Sequence, residues 1–108
     1  MKLNPLQTRT LALLQELAQE AEAADVEQAP GAKRIHHLPH AHGDHVHIGR
    51  LSVSARDASG LNNRAVWTVL ERRGLIIAED FPHSLIITAA GLAYQTGLDQ
   101  ALSSASDH

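Results

Sequence analysis

Six of the eight histidines in this chain fall between positions 36 and 47, inside the run RIHHLPHAHGDHVHIGR. Within that run, residues 40–45 spell His-Ala-His-Gly-Asp-His, so three imidazoles and one carboxylate follow one another closely. Imidazole nitrogen and carboxylate oxygen both bind zinc, with a Zn–N distance of about 2.0–2.1 Å. Histidine also titrates near pH ~6.5, so clustered imidazoles can respond to pH. The run therefore points to metal binding, to a pH response, or to a polar strand surface that happens to be rich in histidine.

A β-hairpin over residues 34–53 would place these imidazoles together, because RIHHLP and HVHIGRLSV flank a tight turn at His42-Gly43. Directly opposed residues share a sheet face. We expect Ile35, Val46 and Ile48 to be buried on one face. The opposed pairs would be His40 with His45, Leu38 with His47, and His36 with Gly49.

The other face of this hairpin would carry four imidazoles, two from each strand. A zinc ion could bind there, with Asp44 orienting one ligand from outside the coordination shell. The candidate metal ligands are His36, His40, His45 and His47.

Length and composition set the class of protein. The chain has 108 residues, of which 44% are hydrophobic, which predicts one domain spanning positions 1–108. It has no cysteine, so disulfides and thiolate metal sites are excluded. The formal charge is −3, so any contact with nucleic acid has to come from a local patch. Without an apolar run long enough to span a bilayer, we expect a soluble cytoplasmic protein that does not contact membranes.

The first half of the chain opens with a predicted helix over residues 3–23. Asn4 is a good N-cap, and Pro5 is favourable at the first helical position. Residues 24–33 read as a loop, and the tail 104–108 as frayed.

The second half begins with a short helix capped by Ser54 and broken by Gly60. Asn62 would cap a second helix from Asn63 to Arg73, with Gly74 as its C-terminal stop. Further elements are strands at 75–79 and 85–88 and a last helix over 89–102.

These elements resemble the winged helix-turn-helix superfamily, and residues 66–93 resemble the recognition-helix, wing and final-helix segment of MarR-type regulators. The resemblance implies an α+β winged helix-turn-helix fold with an additional His-rich β-hairpin between the first and second helices. MarR-type wings usually carry Arg or Lys at the tip, whereas this chain has the sequence Asp-Phe-Pro-His-Ser at 80–84. The matching positions are Leu70, Gly74, Leu75, Ile87, Thr88 and Gly91.

The family resemblance implies a small transcriptional regulator that binds duplex DNA, as a homodimer or with a protein partner. The second helix of such a fold enters the major groove, where Asn can bond adenine and Arg guanine. The alternative is that these residues have structural roles only: Asn62 is a helix cap, Arg64 a solvated side chain and Trp67 a packed one. Candidate DNA contacts are Arg56, Asn62, Asn63, Arg64, Trp67 and Thr68, and Lys33, Arg34, Arg50 and Arg56 could reach phosphates.

Two other functions stay open: an interaction module that keeps the fold without binding DNA, and a zinc-binding protein. Zinc at the histidines is the one cofactor considered. The run His-x-His-x-Asp-His also resembles the metal-binding loop of the metallo-β-lactamase superfamily. That fold needs roughly twice this length and further distant ligands, and only His83 and His108 follow His47. No nucleophile elbow or phosphate-binding glycine loop is present, so an enzyme is not expected.

Overall fold

A computed structural model describes residues 2–20, 22–41, 43–49 and 51–98. The described chain forms a small α+β domain with three α-helices and two antiparallel sheets. The elements in chain order are α1 (Pro5–Leu17), β1 (Ala24–Asp25), β2 (Lys33–Ile35), β3 (His45–Ile48), β4 (Leu51–Ser54), a 3₁₀ helix (Ser59–Asn62), α2 (Arg64–Arg72), β5 (Ile76–Asp80), β6 (Ser84–Ile87) and α3 (Ala89–Ala93). No helix among the described residues is long and apolar enough to cross a membrane.

Helix α1 starts where the sequence predicts. The Asn4 side chain accepts a hydrogen bond from the Gln7 backbone N–H at 2.8 Å, and the Gln7 side chain accepts one from the Asn4 N–H at 2.9 Å. Pro5 occupies the first turn. The predicted end at residue 23 is wrong, because the helix stops at Leu17 and the chain turns so that Ala24 can pair with β2. Position 21 lies outside the described residues.

The core forms around α1. Six consecutive or near-consecutive residues of this helix are buried, so it is covered on more than one face: Thr10, Leu11, Ala12, Leu13, Leu14 and Leu17. The main apolar cluster joins α1 to α2, to the β3–β4 hairpin and to the inner face of the four-stranded sheet. The helices and the sheet share this core, which holds many of the aliphatic residues that dominate the composition, whereas aromatics are few.

The four-stranded sheet has the order β1-β2-β6-β5. Strand β2 pairs with β6, with Arg34 opposite Ile86, and β5 pairs with β6 in the predicted hairpin. The strand bounds differ by a residue or so from the expected 75–79 and 85–88.

The predicted pairing of the His-rich hairpin is wrong. Residues 33–35 pair with β6, and the backbone N–H of Leu38 continues that alignment by donating to the carbonyl of His83 at 2.8 Å. His37 has a positive φ of 53°, so the chain bends away from the expected strand. His42 of the expected turn lies outside the described residues.

Strand β3 instead forms a hairpin with β4. His45 is opposite Ser54 and His47 is opposite Ser52, rather than His40 and Leu38. The predicted faces of β3 are confirmed, since Val46 and Ile48 are buried and His47 is exposed.

The turn before α2 is tighter than the predicted short helix. Residues 55–58 form turns in which the Ser54 hydroxyl accepts from the backbone N–H of Asp57 at 3.1 Å, and the 3₁₀ helix follows. Gly60 lies inside that 3₁₀ helix and does not break a helix. A Cβ at Gly60 would lie 1.8 Å from Oγ1 of buried Thr10, so glycine is needed for the close approach of α1.

Helix α3 is much shorter than the predicted 89–102. It ends at Ala93 because Tyr94 is extended, with φ −64° and ψ 131°. The Gln15 amide Nε2 donates to the carbonyls of Gly91 and Tyr94, both at 2.9 Å, and so fixes this end against α1. The part of the prediction beyond residue 98 lies outside the described residues.

Candidate nucleic-acid interface

Helix α2 carries the predicted DNA contacts, and its cap is Asn63 rather than Asn62. The Asn63 side-chain oxygen accepts from the N–H groups of Ala65 at 3.0 Å and Val66 at 3.4 Å. Asn62 is the last residue of the 3₁₀ helix and is exposed. The Asn63 oxygen is therefore already occupied, whereas the Asn62 side chain faces solvent.

The inner face of α2 consists of Val66, Trp67 and Leu70, all buried. The Trp67 ring is 2% exposed, and its Nε1–H donates to the carbonyl of Leu61 at 3.0 Å. Trp67 is thus wrong as a candidate base contact, because its ring and its only polar group are both used inside the protein.

The outer face of α2 carries a row of three exposed residues spaced by four: Arg64, Thr68 and Arg72. Residues four apart lie above one another on a helix, so these side chains form one line, which we call the outer row. The Thr68 hydroxyl donates to the carbonyl of Arg64 at 2.9 Å. Its hydrogen is therefore engaged, and the exposed hydroxyl oxygen is left as an acceptor.

The Arg64 guanidinium lies over the ring of Phe81 at the tip of the β5–β6 hairpin, 4.4 Å from the ring centroid. The same ring meets Trp67 edge-on, with centroids 4.8 Å apart and planes at 83°. Arg64, Phe81 and Trp67 form a stack that joins the hairpin tip to the first turn of α2. Sequence reasoning treated the tip only as an uncharged loop and missed Phe81.

Nearby carboxylates are turned to other partners. The Glu71 carboxylate accepts from the Ala78 N–H at 2.8 Å. Glu79 accepts two hydrogen bonds from Arg34, at 2.8 and 3.0 Å. Those bonds lower the pKa of the Glu79 carboxyl, outweighing the opposing effect of its desolvation, and raise the pKa of Arg34.

The two arginines of the outer row, and Arg73 next to them, therefore carry positive charge without an ion pair among the described residues. Within the described ranges, no carboxylate lies within 4.0 Å of the guanidinium groups of Arg64, Arg72 or Arg73. Arg56 is also exposed, in the turn before the 3₁₀ helix.

The other predicted phosphate contacts are less accessible. Lys33 pairs with Asp25 and Arg34 with Glu79. Both cations would have to leave a carboxylate to reach DNA. Arg50 lies outside the described residues.

The four candidate zinc ligands do not meet. The His45 and His47 rings lie 4.8 Å apart, whereas the nearest ring to His40 is that of His83, at 6.0 Å, and His36 stacks with its neighbour. Among the described residues, no group of three or more His, Cys, Asp or Glu side chains could hold a metal ion.

The histidine segment also has a carboxylate close to His45 and a cavity beside it. The Asp44 carboxylate lies 3.4 Å from Nδ1 of His45, which is long for a hydrogen bond. A cavity of about 270 Å³ lies between the end of α1 and this segment; its lining includes Leu17, Ile35 and His47.

Comparison of the chain with protein-family models, with curated proteins and with solved structures finds no match. The function is therefore inferred from the positions, contacts and charges of the described residues.

Proposed function

We propose that the chain is a small DNA-binding regulator of winged helix-turn-helix type, with the outer row of α2 as its reading surface. The order of elements supports this proposal: α1, β1, β2, the β3–β4 hairpin, the 3₁₀ turn, α2 and then the β5–β6 hairpin, whose second strand pairs with β2. In a helix-turn-helix, the helix after the turn lies in the major groove.

The observation that carries the proposal is the local excess of positive charge on α2. Residues 64–73 carry three exposed arginines and one glutamate, and no carboxylate among the described residues lies within 4.0 Å of those three guanidinium groups; Glu71 is bonded to the Ala78 N–H and Glu79 to Arg34. The chain as a whole has a charge of −3, but phosphate contacts depend on cations at the contact surface. This arrangement makes α2 the surface on which the charge favours DNA.

The individual residues suit the major groove. Arg64, at the first position of α2, can donate two parallel hydrogen bonds to guanine, and the Asn62 amide can pair with adenine. Thr68 is exposed on the same face, and a threonine methyl group can contact a thymine methyl group. Arg56 and Arg72 would bind phosphates on either side of the groove.

A single copy offers few cations, so we expect one chain to bind weakly. Two copies on one duplex would double the number of phosphate contacts and would require half-sites about one helical turn apart. A homodimer is therefore part of the proposal.

The test is a titration of a labelled, mixed-sequence DNA duplex with the full chain over a range of salt concentrations. Two phosphate-binding arginines per chain, Arg56 and Arg72, predict a slope of log K against log salt of about −2 for one copy and about −3 to −4 for two copies on one duplex. Arg64→Ala should weaken binding, and Arg72→Ala should make the slope shallower by about 1 for each copy bound. Lys2→Ala removes the same charge outside α2 and the hairpin, and should change binding little.

Two results would contradict the proposal. One is an absence of binding at low salt, which would favour the interaction-module alternative. The other is an equal loss of affinity in Arg64→Ala and Lys2→Ala, because attraction would then depend on net charge rather than on the outer row.

A further inference from the structure

Phe81 is the chain's only phenylalanine, and it stands at the tip of the β5–β6 hairpin, between Asp80 and Pro82. Its ring is only partly exposed, because Trp67 lies against it and the Arg64 guanidinium lies over it. The contact with Trp67 belongs to the edge of the main apolar cluster, against which Phe81 packs. The guanidinium of Arg64 is not part of that cluster, so its position on the ring needs a separate explanation.

The stack restricts Arg64. A free arginine side chain samples many rotamers and loses that freedom when it binds a target. The guanidinium carbon of Arg64 lies 4.4 Å from the centroid of the Phe81 ring, whose face attracts a cation, and the N–H groups of a guanidinium are spread around its whole plane. Arg64 can therefore be held by Phe81 and still donate to a base or a phosphate.

Trp67 in turn fixes the ring. The indole is buried and hydrogen-bonded to Leu61, so the edge that meets Phe81 cannot move independently of the domain core. A rigid support behind a contact residue is what keeps a binding geometry from loosening.

We propose that Phe81 is the positioning residue of the interface: its ring holds the Arg64 guanidinium in place for duplex DNA. This role rests on the proposed function of the outer row. The hairpin tip then takes part in recognition without the Arg or Lys that MarR-type wings usually carry, because Phe81 acts through Arg64 of α2.

The test combines DNA binding with a measurement that needs no DNA. Affinity for the labelled mixed-sequence duplex is measured for the wild type, Phe81→Leu, Arg64→Ala and the double variant. Phe81→Tyr serves as the conservative control, since it keeps the ring. The NMR shifts of the Arg64 side-chain protons report the stack directly, because protons above a ring are moved upfield.

We expect Phe81→Leu to weaken DNA binding about threefold to fivefold, which is the size of a partly exposed cation–π contact. Phe81→Tyr should restore wild-type affinity and keep the upfield shift. In the Arg64→Ala background, Phe81→Leu should have little further effect, because both changes remove the same interaction.

Phe81 touches the Trp67 ring, so tryptophan emission would respond to Phe81→Leu even in a folded protein. Circular dichroism and thermal unfolding separate positioning from folding instead: an unchanged spectrum and a cooperative transition show that the core is intact, and the affinity comparison then stands. If either changes, Phe81→Met gives a second variant of similar volume, and the same loss is expected.

Different failures have different meanings. If the wild type binds DNA but Phe81→Leu binds as tightly, or if the effects of Phe81→Leu and Arg64→Ala multiply independently, the positioning role is wrong and the proposed function survives. If the wild type shows the upfield shift but binds no DNA, the proposed function fails and the positioning role fails with it.

Discussion

The start of α3 provides the sharpest test of the packing, because two physical effects there predict opposite signs. In Gly91→Ala, the added Cβ would lie 2.2 Å from the carbonyl oxygen of Leu75 and 2.8 Å from a side-chain carbon of Ile87. That carbonyl is fixed, since it accepts the backbone N–H of Thr88 at 3.0 Å. The obstacle is therefore backbone rather than the end of a flexible side chain.

Helix propensity alone predicts the reverse, because Ala is favoured over Gly in a helix by about 1 kcal/mol. Overpacking a filled site costs up to about 3 kcal/mol, and a backbone contact belongs at that upper end. The balance is a loss of about 2 kcal/mol in the free energy of unfolding. For a domain near 100 residues, this corresponds to a fall in Tm of roughly 8–16 °C.

Thermal unfolding followed by circular dichroism, together with urea unfolding, measures this effect. Ala90→Gly is the matched control, because Ala90 is exposed on the same helix and should lose about 1 kcal/mol at most. A Gly91→Ala protein as stable as the wild type, or more stable, would refute the assigned approach of α3 to Leu75.

Two further predictions concern stability. Asn63→Ala should lower the free energy of unfolding by about 0.5–2 kcal/mol, since the N-cap is lost, whereas Asn62→Ala should stay within about 0.5 kcal/mol of the wild type; equal losses in urea unfolding would contradict the assignment of the cap. The pKa of Glu79 is lowered in the folded protein from the ordinary glutamate value of 4.5. Its carboxylate therefore stabilises the fold at pH values above 4.5, and this contribution is lost as the pH falls below 4.5 towards the lowered pKa. We therefore expect Glu79→Gln to flatten the decline in urea midpoint on the acid side, and an unchanged decline would show that its pairing with Arg34 does not matter.

The sequence predicts some local features that depend on a few neighbouring residues, although it extends α1 and α3 too far and misplaces the cap of α2. The capping box at Asn4, the proline after it and the burial of alternate residues in β3 are all confirmed. Gly74 ends α2 as expected, with a φ of 75°.

The strand pairing was not predictable in the same way. The segment 34–53 suggested a hairpin because its two halves are close in the sequence, but β2 pairs with β6, near the other end of the chain. Such a pairing is decided by burial of Ile35 and by the hydrogen bonds of the whole sheet. Nothing in the local pattern distinguishes it from a hairpin.

The candidate site was predicted only in part, because some of its contacts also join elements that are far apart in the sequence. Arg64 and Thr68 lie outward on α2 as expected, since helix periodicity identifies an outer face. Trp67 was misassigned and Phe81 was missed, because their contact joins α2 to a hairpin tip that follows later in the chain. Asn62 and Asn63 are equally good caps by residue type, and only the 3₁₀ helix before α2 decides between them.

The bond from Ala78 to the Glu71 carboxylate has a consequence for how copies of this protein behave in concentrated solution. Strand β5 ends the four-stranded sheet, and an open rim of N–H groups can recruit a strand from another molecule. Glu71 occupies one of those donors and places a negative charge along the rim, and at the opposite rim β1 is only two residues long. The four-stranded sheet is thus discouraged from pairing with other copies by a carboxylate at its β5 edge and by the short length of β1 at the other edge.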